Sequence, residues 1–593
     1  MQNNQTSIGE IDSINGNIIT IRLFDNIKSH MPIIDGVVYR IGQIGSFLKI
    51  PLGYANLYGI VTQIGSAAVP EALKETLVNN YENAKNTHWL GLVLVGEQIG
   101  RKFERGITQF PTTSDKVHLV TIKDLDVIYG GLDDNESITV GNISASESLE
   151  AKLDLNKLIS RHCAIVGSTG SGKSNTVAIL LEAIAKRNFK SSRILVIDPH
   201  GEYNEVLKEQ SKVYKINSSV GQNELYIPFW ALPFNELMQI FSNNLTDTHR
   251  EYIREKIVEK KIESIATNTL DVEPEIITAD SPIPFSLKQL WFELDDIERQ
   301  TFNASRNSDT LCDKIVIGNA SSLKSNEYTP AGSGGGAPYL SHLKKGISSF
   351  LDSIRIKLKD SRYKFLFYPG EWEPDLTGKI DKDIDELLYG WLGETKPVTI
   401  LDLSGIPSEI MIPISGTLLK IVNDTLFWGQ NTLVGGRKQP LFIVLEEAHN
   451  YLKAGENSIA SRTVQTIAKE GRKYGVGLLL ITQRPSELDE TVLSQCGTII
   501  ALRMSNAKDR GHIKSAVQDE LQTMVDLLPS LRTGEGLISG EAVKIPSRVR
   551  FYKTAHKAKS SDPLVTVEWA KENPNISEYK DTLKFWRSQN FNL

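Results

Sequence analysis

Residues 167–174 read GSTGSGKS, the pattern G-x-x-x-x-G-K-[ST]. An apolar run, CAIVG (163–167), leads into it, and a helix-like run, NTVAILLEAIAKR (175–187), follows. Gly167, Gly170 and Gly172 let the backbone curl tightly, so that successive N–H groups point inward at phosphate oxygens. Ser168, Thr169 and Ser171 supply the intervening N–H groups, and Asn175 opens the helix behind them. Lys173 has the reach for β- and γ-phosphates, and the Ser174 hydroxyl suits Mg²⁺. The start of a helix adds partial positive charge where the phosphates would lie. This stretch predicts a strand, a phosphate-binding loop and a helix. It does not say what nucleotide hydrolysis would drive.

The chain has 593 residues, enough for three or four domains. Apolar residues make up 40% and charged residues 23%, the profile of a globular protein rather than a disordered or membrane one. No window reaches the roughly 18 apolar residues of a membrane span. The N-terminus, MQNNQTSIGEIDSING, lacks a basic region followed by an apolar one, so no secretory signal is expected. Cys163, Cys312 and Cys496 lie too far apart to suggest a disulfide framework or a zinc set. Together these features lead to an expectation of a cytoplasmic protein. The net charge of −6 argues against a globally basic nucleic-acid coat and leaves room for a locally basic channel.

Residues 1–145 read as β-rich. NIITIRLF (17–24), GVVYRIG (36–42), LYGIVTQIG (57–65), WLGLVLVGEQIG (89–100) and KVHLVTIKDL (116–125) are short β-branched runs separated by turn residues, the pattern of a small barrel or sandwich. PEALKETLVNNYENAK (70–85) reads as a helix interrupting the series. From residue 146 strands and helices alternate. Between 232 and 392 the chain becomes helical and charged, with ASSLKSNEYTPAGSGGGAP (320–338) expected as a flexible loop. Strand-like runs then resume at VTILDLS (398–404), PLFIVLEE (440–447), VGLLLIT (476–482) and GTIIALR (497–503). The expected organisation is an N-terminal barrel (1–145), an α/β core in two pieces (146–231 and 393–540), an inserted helical subdomain (232–392) and a C-terminal brace or tail (541–593).

Within that core, three strand ends carry chemistry. LFIVLEEAHNYL (441–452) is an apolar strand ending in Glu446 and Glu447. Phosphoryl transfer needs one acid near Mg²⁺ and one to orient or deprotonate water. Glu446 fits the first task and Glu447 the second, although an Asp is usual at the metal position. ITQRPSELD (481–489) puts Gln483, a candidate γ-phosphate contact, at another strand end, and either Arg484 or Arg472 could supply the cation for the transferred charge. IDPHGEY (197–203) ends a further strand with Asp198, His200 and Glu202, at the edge where ligands bind in parallel sheets, or forms a turn there. His200 and Glu202 do not have metal-site spacing.

RHCAIVGSTGSGKSN (161–175), ILVIDPHGEY (194–203), IVLEEAHNYL (443–452), IAKEGRKYGVGLLLITQRPSELD (467–489) and LRTGEGLISGE (531–541) occur in the order found in the HerA ATPases, which belong with the FtsK-like DNA pumps, and the chain resembles that family over most of its length. GQIGSFLKIP (42–51) and FERGITQFP (103–111) resemble its N-terminal barrel. The resemblance implies a RecA-like P-loop NTPase core, ATP and Mg²⁺ as cofactors, and a homo-hexameric ring with nucleotide sites between subunits. It further implies Lys173 and Ser174 on phosphate and metal, Glu447 activating water, Gln483 as sensor, and Arg472 presented to the neighbour's ATP. Arg161 and Asp198 match polar positions near the family's site. LRTGEGLISGEAVKIPSRVRFYK (531–553) is expected to brace a neighbouring subunit. The implied activity is ATP-driven translocation on double-stranded DNA without sequence preference, in company with a nuclease or a Sir2-like NAD-consuming effector. The alternative is a ring that scaffolds such an effector in phage defence. KRNFKSSR (186–193) and KKGISSFLDSIRIKLKDSRYK (344–364) are basic stretches that read equally as solvated faces, so no DNA-contact residue is assigned.

Overall fold

The computed structural model describes residues 6–588 apart from 25–31, 35–36, 40, 67–87, 145–147, 188, 219–221, 242–244, 304–309, 334–335, 394, 518–521, 556–563 and 574. The helix expected at 70–85 lies outside the described residues.

The chain is α/β and begins with a closed barrel. Strands Ser7–Asn15, Ile18–Leu23, Phe47–Leu52, Ala55–Ser66, His88–Ile99 and Lys116–Leu119 pair antiparallel around it, and the pairing of Ile18–Leu23 with His88–Ile99 closes the ring. Closure follows from alternation. Ile19, Ile21 and Leu23 point inward with Ile8, Leu48, Ile50, Leu57, Leu90, Leu92 and Val117, and the barrel strand Lys102–Arg105 extends the sheet from His88–Ile99. The run expected as one strand at 116–125 breaks at Leu119. There Asp124 accepts from the Thr121 backbone N–H and hydroxyl, both at 2.8 Å, and starts the helix Ile122–Tyr129.

The second sheet has twelve strands. Its centre is parallel, in the order Thr498–Leu502, Cys163–Val166, Val476–Thr482, Leu441–Leu445, Arg193–Asp198, Val398–Asp402, Ser211–Lys215. These strands read as continuous apolar runs because helices cover both faces, and Cys163–Val166, Leu441–Leu445 and Val476–Thr482 are buried at every residue. The Gln483 strand therefore lies between the P-loop strand and the strand carrying Glu446 and Glu447. The structure has the RecA-like arrangement expected from the sequence.

Strand Ser137–Ile143, in the stretch expected as barrel, joins this sheet antiparallel to Ser547–Phe551. The stretch 531–553, expected to brace a neighbour, supplies Glu535–Gly540 and Ser547–Phe551 to the chain's own sheet. Its apolar residues Leu537, Ile538, Val549 and Phe551 are buried there, while Arg550 stays exposed.

The chain between the strands at 211–215 and 398–402 forms helices from Phe234–Phe241 to Ile384–Leu392, with buried Trp230, Trp291 and Trp391 in their core. The first half of the expected flexible loop is held. Asp296 Oδ1 accepts from Asn326 Nδ2 at 2.5 Å and from the Tyr328 hydroxyl at 2.7 Å, and Glu327–Tyr328 pairs with Lys314–Val316. After Phe551 the helices Val565–Glu568 and Ile576–Ser588 stand exposed, with Trp569 85% and Trp586 73% accessible. Among the described residues no helix is long and apolar enough to cross a membrane.

Candidate functional site

The C-terminal ends of the parallel strands converge on one edge, where an open α/β sheet binds its ligands. Gly167 N–H donates to Thr482 O, and Ser168 N–H and Oγ donate to Arg503 O at 3.0 and 2.9 Å, seating the P-loop between the two adjacent strands. Gly172 lies at φ +98, and a Cβ there would sit 2.9 Å from Gly534 N. Only glycine meets both demands. Gly534 N–H donates to Ser171 O at 2.9 Å and completes the loop, while Gly170, also left-handed, turns its outer rim. The helix Lys173–Ala185 starts there, and its first turn points at the loop's centre.

The expected site residues are mostly brought together. Lys173 Nζ donates to Glu447 Oε1 at 3.2 Å in a buried ion pair. The Ser174 hydroxyl donates to Glu202 Oε2 at 2.8 Å. The Thr169 hydroxyl donates to Gln483 Oε1 at 2.8 Å, joining the P-loop rim to the expected sensor. Asn175 acts on the far side of the loop. Its side-chain amide donates to Tyr552 O at 2.8 Å and accepts from Thr554 N–H at 3.0 Å, so it ties the helix start to the chain leaving the sheet.

The two carboxylates differ in charge state. Glu446 is almost fully buried. Desolvation pushes its carboxyl up to about 8, against the opposing pull of Lys173 and of the Tyr203 hydroxyl, which donates to Glu446 Oε2 at 2.6 Å. Glu447 is also buried, but the His449 ring and the Lys173 ammonium more than reverse the effect of burial and hold its carboxyl down at about 2. The residue stands at φ +46, a strained left-handed elbow between the strand and the short helix Ala448–Asn450. That elbow turns the carboxylate back over the P-loop.

Three expected residues are placed elsewhere. Asp198 spends both oxygens on the N–H groups of His200, Gly201 and Tyr203, at 2.8 to 3.2 Å, so it shapes the loop that carries Glu202. It takes the turn-forming role, and burial lifts its carboxyl to about 6. Arg161 ends the helix Leu155–Ser160 at the opposite edge of the sheet, 3.6 Å from Glu541, and is not brought to its own chain's P-loop. Arg472 lies exposed in the last turn of helix Ile459–Tyr474, just ahead of the strand Val476–Thr482. Seven residues of strand, about 20 Å, separate it from the Gln483 end. Arg484 is at the P-loop edge and pairs with Glu487 at 2.9 Å.

Sequence reasoning missed four contributors. Glu202 was read within its motif without a partner. Tyr203 anchors Glu446. Arg503 offers its backbone oxygen to Ser168 and sends Nη2 to Gly170 O at 3.4 Å. His449 lies with Nδ1 3.2 Å from Glu447 Oε2 and 3.0 Å from the Thr482 hydroxyl. All four follow motif residues closely along the chain or across one strand pairing, which is the signal that could have found them.

The donor set fits a bound nucleotide. Ser171 Oγ and Glu447 Oε2 are buried without a well-formed hydrogen bond, so each has capacity for a further partner. Among the described residues no cluster of three or more His, Cys, Asp or Glu could cage a metal by itself. Ser174, with Glu202 and Glu446 beside it, suits an ion whose remaining ligands come from phosphate and water. An open cleft of about 510 Å³ runs along the outer face of the P-loop helix, lined in part by Asp134, Glu182, Lys186 and Tyr552, and is separate from these residues.

Comparison with known proteins agrees with this geometry. A family model described as the central domain of helicase HerA matches residues 138–422, and one described as helicase HerA-like C-terminal matches 415–579. A probable helicase of Methanocaldococcus jannaschii is 27% identical over 548 residues, 91% of this chain and 92% of its own length. The DNA double-strand break repair helicase HerA of Pyrococcus furiosus is 26% identical over 443 residues, 72% of this chain and 71% of that protein. Among solved structures, VirB4 of Thermoanaerobacter pseudethanolicus aligns with a TM-score of 0.45 at 16% identity, covering 72% of this chain and 99% of that one.

Proposed function

The chain belongs to the HerA-type helicase family and is an ATPase of the helicase type, and from that premise we propose that six copies close a ring that couples ATP hydrolysis to movement along double-stranded DNA. One observation carries the reading. The phosphate-binding groups and Glu447 lie at one edge of the sheet, and Arg472 lies exposed about 20 Å away at the other. In this reading an arginine so far from its own P-loop serves a phosphate on another copy, which supports the ring as the unit of function.

In this reading ATP draws Lys173 from Glu447 to its β- and γ-phosphates. Glu447, relieved of its ion pair, accepts a proton from the attacking water. Gln483 contacts the γ-phosphate, and the neighbour's Arg472 offsets charge on the phosphoryl group in flight. Mg²⁺, held by Ser174 with Glu446 and Glu202 nearby, would neutralise phosphate charge. DNA is gripped by its backbone, so binding is salt-dependent and sequence-tolerant. The exposed Trp569 and Trp586 of the C-terminal helices favour a further contact, with a neighbouring copy or with a partner enzyme such as a nuclease or NAD-consuming effector.

The test is ATP hydrolysis with and without duplex DNA. We expect stimulation by DNA and its loss in Lys173→Ala and Arg472→Ala. Arg472→Ala should still bind ATP. Mixing the two inactive variants should restore part of the activity, because some composite sites then hold both an intact P-loop and an intact arginine. Full activity of Arg472→Ala alone would overturn the reading.

A further inference from the structure

His449 follows the two carboxylates on the short helix Ala448–Asn450, with its side chain only 10% accessible. Its Nδ1 lies between two acceptors at the ends of different strands. Glu447 Oε2 is at 3.2 Å, and the Thr482 hydroxyl is at 3.0 Å. Thr482 is the last residue of the strand Val476–Thr482, and its hydroxyl also accepts from the Arg484 backbone N–H at 3.0 Å. The next residue, Gln483, accepts from Thr169 of the P-loop. A contact path thus runs from Glu447 through His449 and Thr482 to the Gln483 strand end and back to the P-loop.

Among the described residues Glu447 has two ion-pair partners, Lys173 on Oε1 and His449 on Oε2. Lys173 cannot serve both Glu447 and the phosphates of a bound nucleotide, since its ammonium is a single point charge on one stem. Once it swings to phosphate, the imidazole is the ion-pair partner left to Glu447 among the described residues. Glu447 occupies a strained left-handed elbow, so a carboxylate with no tether has reason to turn away. An ionised carboxylate at 3.2 Å favours the tautomer with hydrogen on Nδ1, which lets the ring donate to the Thr482 hydroxyl while its N–H edge stays within ion-pair distance of Glu447 Oε2.

We propose that His449 is a positioning residue that keeps Glu447 aimed at the attacking water after Lys173 has moved to phosphate, and that it does so by bracing Glu447 against Thr482 at the base of Gln483. The proposal rests on the ATPase reading above. It deepens that reading by making the base and the sensor one mechanical unit. His449 itself touches no reacting atom.

The experiment compares His449→Ala, His449→Asn, His449→Gln and Thr482→Val in the full chain, by steady-state ATP hydrolysis and by binding of a fluorescent ATP analogue. His449→Ala should lower kcat by roughly 10- to 100-fold while KM and analogue affinity stay within about twofold. His449→Asn places an amide N–H where Nδ1 stood and should recover most of kcat. His449→Gln, whose amide falls near Nε2, should not. Thr482→Val should cost several-fold alone and little more on top of His449→Ala. A second readout needs no turnover. With a non-hydrolysable analogue bound, backbone hydrogen exchange at residues 446–452 and 482–485 should speed up together in His449→Ala, with the P-loop helix unchanged. Wild-type kcat in His449→Ala, equal losses in the Asn and Gln variants, or an exchange change confined to one of the two segments would overturn the proposal. A wild-type chain that hydrolyses no ATP would count against the ATPase reading, and the exchange comparison would still decide the role of His449.

Discussion

Replacing Glu446 by Gln should stabilise the nucleotide-free protein, and more so as pH rises. Burial lifts the Glu446 carboxyl to about 8 from an ordinary value of 4.5. The folded chain therefore keeps a proton that the unfolded chain gives up. Between about pH 5 and pH 8 the native state binds more protons than the unfolded one, so the stability this group allows falls as pH increases. The limiting slope is about 1.4 kcal/mol per pH unit, or about 4 kcal/mol across that window. Relaxation and water entry at buried charges reduce such costs, and about 1–2 kcal/mol is expected in practice. Gln retains an oxygen to accept from the Tyr203 hydroxyl but has no proton to lose. The assay is thermal unfolding of wild type and Glu446→Gln at pH 5 and pH 8.5, without nucleotide or divalent metal. The variant's Tm should exceed wild type by about 1–2 °C more at pH 8.5 than at pH 5. Asp198, with its carboxyl at about 6, also titrates in this range, but it does so in both proteins and cancels in the difference. An offset that is the same at both pH values, or one that shrinks as pH rises, would refute the reasoning that Glu446 is held neutral by burial.

Two further outcomes follow from the geometry around the P-loop and the barrel. Gly172→Ala puts a Cβ at φ +98 and 2.9 Å from the Gly534 backbone, so it should cost about 2–4 kcal/mol and weaken nucleotide binding at least tenfold; Gly511→Ala, in a helix with open space, should be neutral or stabilising by up to about 1 kcal/mol. Equal melting temperatures for the two variants would contradict this. Arg105 on the barrel strand Lys102–Arg105 donates to Gly540 O at 2.6 Å, Lys544 O at 2.7 Å and Val543 O at 2.9 Å, so Arg105→Ala should loosen the barrel from the ATPase sheet at a cost of about 1–3 kcal/mol. Calorimetry should then resolve an early barrel transition, and an unchanged single transition would show that the latch contributes little.

The strands and the loop residues were legible because their signals are local. GSTGSGKS needs glycines where φ turns positive, and the strands behind it are apolar runs because both of their faces are covered. The breaks and exceptions were set by single polar contacts with no such periodic signal. Thr121 and Asp124 end a strand that β-branched residues would have continued, and Asp296 gathers a glycine-rich loop by its side chain. The strand at 547–551 alternates while that at 535–540 is buried along almost its whole length, and whether they pair within the chain or across to a neighbour is decided by register with Thr498–Leu502 and Ser137–Ile143, which no local pattern encodes.

The site divides along the same line. Lys173, Glu447 and Gln483 were visible as motif letters because each stands at a strand end or opens a helix. Their pairings were not, since Lys173 meets Glu447 across 274 residues and Thr169 meets Gln483 across 314. Those pairings carry the mechanistic content. In the structure the two side chains that the proposed reading assigns to phosphate and metal are each engaged by a carboxylate, Lys173 by Glu447 and Ser174 by Glu202. Binding ATP therefore exchanges existing charged hydrogen bonds for new ones, and its net gain is smaller than the contacts alone suggest. The same exchange frees Glu447 only after phosphate has arrived to claim Lys173. In that reading the ion pair keeps Glu447 engaged until substrate is present, and the strained elbow beneath it leaves His449 to hold the aim once the pair has opened.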